Sequence, residues 1–253
     1  MSLLDEATEA RLAAALVSRA GGYLRNPIRQ DHVTCAVCAT PVDDYLRCFQ
    51  CNSNAVFTGL ADATAFLTYA VGGRQSGYVM RGYKAQQPVK EHVSIVIMLV
   101  LLALSKHEYC PAALGGMPVT HWATVPSLPA EPGEHPLHQI VGRVGLGTEV
   151  CLAPAADVRR PRDVNPAHFT TNHQLPDRSH VLLIDDTWAR GGHAQSAALT
   201  LHRAGARRVS LLVMARWINE GFRDNADFLR EIAGRDYDPG ICPWTGDRCP
   251  PYP

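Results

Sequence analysis

Asp185 and Asp186 stand side by side directly after the apolar run VLLI at 181–184, and a glycine pair, Gly191 and Gly192, follows them. Burying two like charges next to each other is costly, so a shared partner at a mouth open to water and ligand is the natural reason for the pair. Backbone N–H groups of residues 189–194, with the start of the helix expected after them, can cradle a phosphate. The two carboxylates can accept hydrogen bonds from vicinal hydroxyls, so the stretch reads as a site for a ribose 5-phosphate. A Walker loop is excluded because no Gly-Lys-Ser/Thr follows, and the dinucleotide fingerprint Gly-x-Gly-x-x-Gly is absent.

The second chemical feature is CAVCATPVDDYLRCFQC at 35–51, two Cys-x-x-Cys knuckles separated by nine residues. Each knuckle presents two thiolates from one tight turn, and two facing knuckles make the tetrahedral sulfur site that zinc prefers, although thiolates alone do not choose between zinc and iron. Cys35, Cys38, Cys48 and Cys51 are therefore the expected ligands of a structural metal that holds residues 30–55 together. Two acids and one arginine in the spacer make a poor phosphate surface, which argues against a nucleic-acid-reading module. Cys242 and Cys249 in the proline-flanked tail are open to three readings: a clamp, a second metal site with a histidine, or plain buried thiols. The last is the default, as for Cys110 and Cys151. His135 and His138 are spaced like half a metal site but are explained by a polar helix start, while for Arg81, Tyr83 and Lys84 a basic surface patch is as good an explanation as a functional role.

Strands must position these groups. HWATVPS at 121–127 and EVCLAPA at 149–155 read as strands with a helical stretch, LHQIVGRVG, between them. VLLIDD comes next, then a helix over 192–204 ended by Gly205, and a fourth strand, RRVSLLVMAR. Strands alternating with helices predict an α/β fold with a doubly wound, mostly parallel sheet, whose ligands bind at the carboxyl ends of the strands. The polar segment 156–180 is too long for an idle connection and is expected to form a hood. The stretch SGYVMRGYKAQQPVKEH after the knuckles reads as irregular and polar.

At 253 residues with 46% apolar content the chain can fill a core, organised as an N-terminal helix and zinc module over 1–60 and a catalytic-type domain over 61–253. Zero formal net charge predicts neither a polyanion partner nor a membrane surface. The acidic start lacks the pattern of a signal peptide, and the apolar run 93–104 is shorter than the roughly 20 residues of a spanning helix, so a buried helix or strand in a cytoplasmic protein is expected.

Taken together, the apolar strand, the acidic pair and the glycine-bearing loop resemble the type I phosphoribosyltransferases. With the four-cysteine site the chain resembles the ComF-type competence proteins in particular. The resemblance extends over the cysteine cluster, Tyr83 and Lys84, ATVPSLP at 123–129, RRPRDVNPAHF at 159–169 and the loop itself. It implies that Asp185 and Asp186 hold ribose hydroxyls directly or through Mg²⁺, and that Ala189, Arg190, Gly191, Gly192, His193, Ala194, Gln195 and Ser196 hold the 5-phosphate of phosphoribosyl pyrophosphate. It further implies that the turn Val125, Pro126 and Ser127 approaches the pyrophosphate while Arg159, Arg160 or Arg162 closes over it. The reaction implied is transfer of the phosphoribosyl group to a nitrogen acceptor, with arginines and Mg²⁺ neutralising the departing pyrophosphate. The alternatives are a non-catalytic phosphoribosyl pyrophosphate or nucleotide binder and a DNA-uptake accessory touching single-stranded nucleic acid; a homodimer is compatible with all three. Ala189, Arg190 and His193 replace hydroxyl-bearing residues of the family loop, and Thr187 and Trp188 replace its aliphatic pair. Arg190, His193, Gln195 and Ser196 are the groups able to supply the lost hydrogen bonds.

Overall fold

The computed structural model describes residues 3–251 apart from 131, 157, 159 and 161. Helix α1 (Glu6–Ala20) starts at Asp5, whose carboxylate accepts the Thr8 N–H at 2.8 Å and so satisfies one of the orphan donors of a helix start. After the knuckles and the short α2 (Phe49–Asn54) the chain enters β1 (Ala63–Val71), then α3 (Gln75–Gly82) and α4 (Lys90–Lys106). Next come α5 (Cys110–Gly115), β2 (His121–Thr124), α6 (Pro136–Gly142) and the two-residue strands β3 (Thr148–Glu149), β4 (Ala153–Pro154) and β5 (Phe169–Thr170). The remaining elements are β6 (His180–Trp188), α7 (Gly192–Arg203), β7 (Arg208–Ile218) and α8 (Asn225–Glu231).

Five strands form one parallel sheet in the order β1-β7-β6-β2-β3, and β4 and β5 form a separate antiparallel pair. The continuous apolar runs occupy the middle of the sheet because both of its faces are covered. Leu182, Ile184, Leu212 and Met214 point into a cluster with residues of α1, α3 and α4, while Val181, Leu183, Leu211 and Val213 meet Ala194, Ala197 and Leu201 of α7. The run 93–104 is buried helix, inside α4. No helix among the described residues is long and apolar enough to cross a membrane.

Two expectations are corrected. The stretch 149–155 is not one strand: after β3 the Val150 N–H still donates to the Trp122 carbonyl at 2.8 Å, and then the chain leaves the sheet edge. Ala155 N–H donates instead to the His168 carbonyl at 2.9 Å, extending the β4–β5 pair, of which only β5 lies in the 156–180 segment. The region after the knuckles is not irregular either, since α3 lies within it and β1 precedes it. The outer edge of β1 is closed by the 25–28 segment, where Tyr69 N–H donates to the Arg25 carbonyl at 2.9 Å and the Tyr69 hydroxyl accepts the Ile28 N–H at 3.1 Å.

Candidate functional site

Asp185 and Asp186 fall at the carboxyl end of β6, in the centre of the sheet, and both are buried. Successive strand residues point to opposite faces, so the two side chains meet different surroundings. Asp185 Oδ1 accepts the Asp186 N–H at 2.8 Å. Asp186 Oδ2 accepts from the Tyr83 hydroxyl at 2.9 Å and from Lys84 Nζ, and His135 Nε2 stands 3.6 Å away. Burial pushes the Asp186 carboxyl up, but the nearby His135 imidazole and the Lys84 charge outweigh it and hold the group well below the carboxylate range. Asp185 lies on the losing side of the pair: burial first, and then the Asp186 charge, push it up to about 8.

His135 is the N-cap of α6, where its Nδ1 accepts the Leu137 N–H at 3.2 Å. That bond leaves Nε2 as the protonated nitrogen facing Asp186. A second polar chain runs beside the first: Thr124 Oγ1 lies 2.8 Å from His138 Nδ1, and His138 Nε2 is 3.0 Å from Glu134 and 3.5 Å from Glu149. Thr124 pairs in register with Ile184, so the half-buried Pro126 and Ser127 continue from β2 alongside the acidic pair.

The loop from Ala189 to Ser196 is built by a close approach of backbone. Gly191 adopts φ 81° beneath the Trp188 ring, where a Cβ would lie 2.2 Å from the indole, and opens α7 without a side-chain cap. Gly192 is buried under the 162–163 backbone, since a Cβ there would lie 2.2 Å from the Arg162 carbonyl oxygen. Several of the polar groups expected on a phosphate make bonds within the fold. Ser196 Oγ accepts the Asn165 N–H at 2.8 Å, and Gln195 Oε1 accepts the Ala61 N–H at 2.8 Å. The exposed Arg190 donates to Gln50 Oε1 at 2.9 Å. Ala194 is buried, His193 half-buried and Ala189 exposed. The Arg162 side chain is exposed, as is Arg160, and Arg159 lies outside the described residues.

The knuckles pack against this loop. The donor atoms of Cys35, Cys38, Cys48 and Cys51 all lie within 4.8 Å of one another, with Cys38 and Cys48 Sγ 3.7 Å apart. A tetrahedral site with metal–sulfur bonds of about 2.3 Å has sulfur–sulfur edges of roughly 3.8 Å, so the four thiols are placed to hold a metal such as zinc. Hydrogen bonding from Cys38 first, and then from Cys48 and Cys51, holds the Cys35 thiol well below the usual thiol range. The buried Arg216 joins module and loop: its guanidinium donates to the carbonyls of Cys38 at 2.8 Å, Trp188 at 3.0 Å and Ala189 at 3.1 Å, and to that of Trp217.

Tyr83, Lys84 and His135 are brought to the acidic pair although their spacing carried no sign of it; the signals for Tyr83 and Lys84 were the resemblance that covers them and a buried acidic pair's need for a cation. A second convergent group, His107, Cys110, Cys242 and Cys249, also has its donor atoms within 4.8 Å of one another. His107 and Cys110 are three residues apart, which is a knuckle-like spacing in the sequence. Set against known proteins, the chain is matched by no family model and by no curated protein.

Proposed function

We propose that the protein binds phosphoribosyl pyrophosphate with Mg²⁺ and transfers the phosphoribosyl group to a nitrogen acceptor. The observation that carries this reading is the buried acidic pair at the carboxyl end of the central strand β6, with Lys84 and His135 beside it and the uncapped start of α7 a few residues on. In this reading Asp185 and Asp186 take the ribose hydroxyls or Mg²⁺, the backbone of residues 189–194 takes the 5-phosphate, and Pro126 and Ser127 border the pyrophosphate. Lys84 is then positioned to exchange Asp186 for the departing pyrophosphate, and Arg162 with its neighbours to close over it. Mg²⁺, when bound, neutralises the leaving group. The fold implied is the doubly wound phosphoribosyltransferase type, and the four-cysteine module carries structural zinc. No covalent nucleophile is needed.

A second reading, binding without turnover, is favoured by the internal bonds of Arg190, Gln195 and Ser196 and by the 162–163 backbone lying on Gly192. Calorimetric titration of phosphoribosyl pyrophosphate with Mg²⁺ into the wild type and into Asp185→Asn/Asp186→Asn tests the site. Heat in the wild type that vanishes in the folded double variant is expected, and no heat in the wild type refutes both readings. Pyrophosphate release in the presence of ammonia or nitrogenous bases separates the transferase from the binder.

A further inference from the structure

The tail around residues 236–249 lies across the N-terminal linker: Tyr237 N–H donates to the Gly21 carbonyl at 3.1 Å, Asn26 Nδ2 to the Asp238 carbonyl at 2.9 Å and Arg29 Nε to the Pro243 carbonyl at 3.1 Å. Where the tail turns back, Cys242 N–H donates to the Asp247 carbonyl and its own carbonyl accepts the Gly246 N–H, both at 2.8 Å, with Gly246 at φ 83°. That turn brings Cys242 and Cys249 to the corner between α4 and α5, where His107 ends one helix and Cys110 begins the next.

The distances are those of a metal tetrahedron rather than of a disulfide. Cys110 and Cys242 Sγ are 3.6 Å apart, and His107 Nδ1 is 3.2 Å from Cys249 Sγ. Metal–sulfur bonds of about 2.3 Å and metal–nitrogen bonds of about 2.0 Å give edges of roughly 3.8 and 3.5 Å, whereas a disulfide needs about 2.05 Å. His107 Nε2 lies 3.3 Å from the Pro239 carbonyl oxygen, which can only accept. The proton therefore sits on Nε2 and the Nδ1 lone pair faces the thiols, the outer-shell arrangement that fixes metal-bound histidines. We propose that His107, Cys110, Cys242 and Cys249 form a second zinc site, a closed structural one that fastens the tail to the α4–α5 corner. It is independent of the four-cysteine module: Cys110 and Cys242 belong to the cluster under α1 and α4, whereas Cys35, Cys38 and Cys51 belong to the cluster under α7.

The test is the zinc content of the full chain, produced in zinc-supplemented medium and gel-filtered, by inductively coupled plasma mass spectrometry. Two equivalents are expected in the wild type, falling to one in Cys242→Ser/Cys249→Ser and to one in Cys35→Ser/Cys38→Ser. A cobalt-substituted Cys35→Ser/Cys38→Ser chain should show the visible absorption of a three-thiolate, one-imidazole site. A single wild-type equivalent that survives in Cys242→Ser/Cys249→Ser overturns the proposal, and so does a Cys110–Cys242 disulfide found by alkylation and peptide mass mapping. Should the tail variant fail to fold, the wild type decides alone: two equivalents with all eight thiols recovered after metal release support the site, and metal-loaded protein whose Cys110, Cys242 and Cys249 are alkylated before metal release overturns it.

Discussion

Replacing Asp185 by asparagine should stabilise the protein in alkali and leave it nearly unchanged in acid. Asp185 is 9% exposed, and burial followed by the Asp186 charge raises its carboxyl from 3.8 up to about 8. A carboxyl raised in this way binds more protons folded than unfolded, so stability is full below the unfolded value of about 4 and falls as pH climbs towards 8. Four units at about 1.4 kcal/mol each set a ceiling of about 6 kcal/mol above pH 8, about 4 kcal/mol at pH 7 and under about 1 kcal/mol at pH 4.5. Water and counterions at the strand end reduce these values, so a gain of roughly 2–4 kcal/mol at pH 9 is the working expectation. Asparagine keeps the shape, and its Oδ1 can still accept the Asp186 N–H that now lies at 2.8 Å. Urea unfolding of both proteins in Mg²⁺-free buffer at pH 4.5, 7 and 9 reads the effect. Parallel stabilities across that range, or an asparagine variant weaker at pH 9, would refute the argument that the pair is held at a cost. If the gain appears while ligand binding is lost, the carboxylate is there for what it binds.

Lys84→Met should cost about 1–3 kcal/mol at pH 7, less than the ~3–5 kcal/mol of a fully buried pair because the lysine side chain is 35% exposed. Asp186 is held low in the folded state, so this stabilisation exists above about pH 4 and shrinks as pH falls further; urea titrations at pH 7 and 3.5 check the sign. Gly192→Ala must displace the Arg162 carbonyl, 2.2 Å from the new Cβ, costing about 1–3 kcal/mol and speeding exchange of the Asn165 amide; unchanged exchange there would contradict the packing. His202 lies 3.3 Å from Asp62, which offsets the effect of burial and raises the imidazole above 6.5. Its contribution is full below that value and lost as pH rises through the folded one, so His202→Gln should lower the melting temperature more at pH 5.5 than at pH 9.

The sheet's middle was legible because β6 and β7 are continuous apolar runs that only burial on both faces explains. The strand β1 was missed although the threonines, aromatics and valine of ATAFLTYAV favour a strand, because no regular alternation sets it apart and its pairing with β7 lies far along the chain. Pro154 and the weak edge position divided 149–155 between two sheets. The cysteine knuckles announce themselves because their ligands are close in sequence. Tyr83 and Lys84 reach Asp186 across more than a hundred residues, and Cys110 reaches Cys242 across 132, so spacing carries nothing of either. The bonds that occupy Arg190, Gln195 and Ser196 were equally hidden, since a loop read alone offers all its polar groups to a ligand.

Arg216 has a consequence for substitution. Its buried guanidinium is solvated by carbonyls from the first knuckle, from the end of β6 and from its own neighbour. Deleting the knuckles would strip the Nε of that charge of its acceptor while its bonds to Trp188, Ala189 and Trp217 remained, at the cost of one unsatisfied buried donor, about 1–3 kcal/mol. The cysteine module and the loop after the acidic pair therefore share one buried cation, so a substitution that moves the Cys38 carbonyl is felt at the Trp188 and Ala189 carbonyls as well.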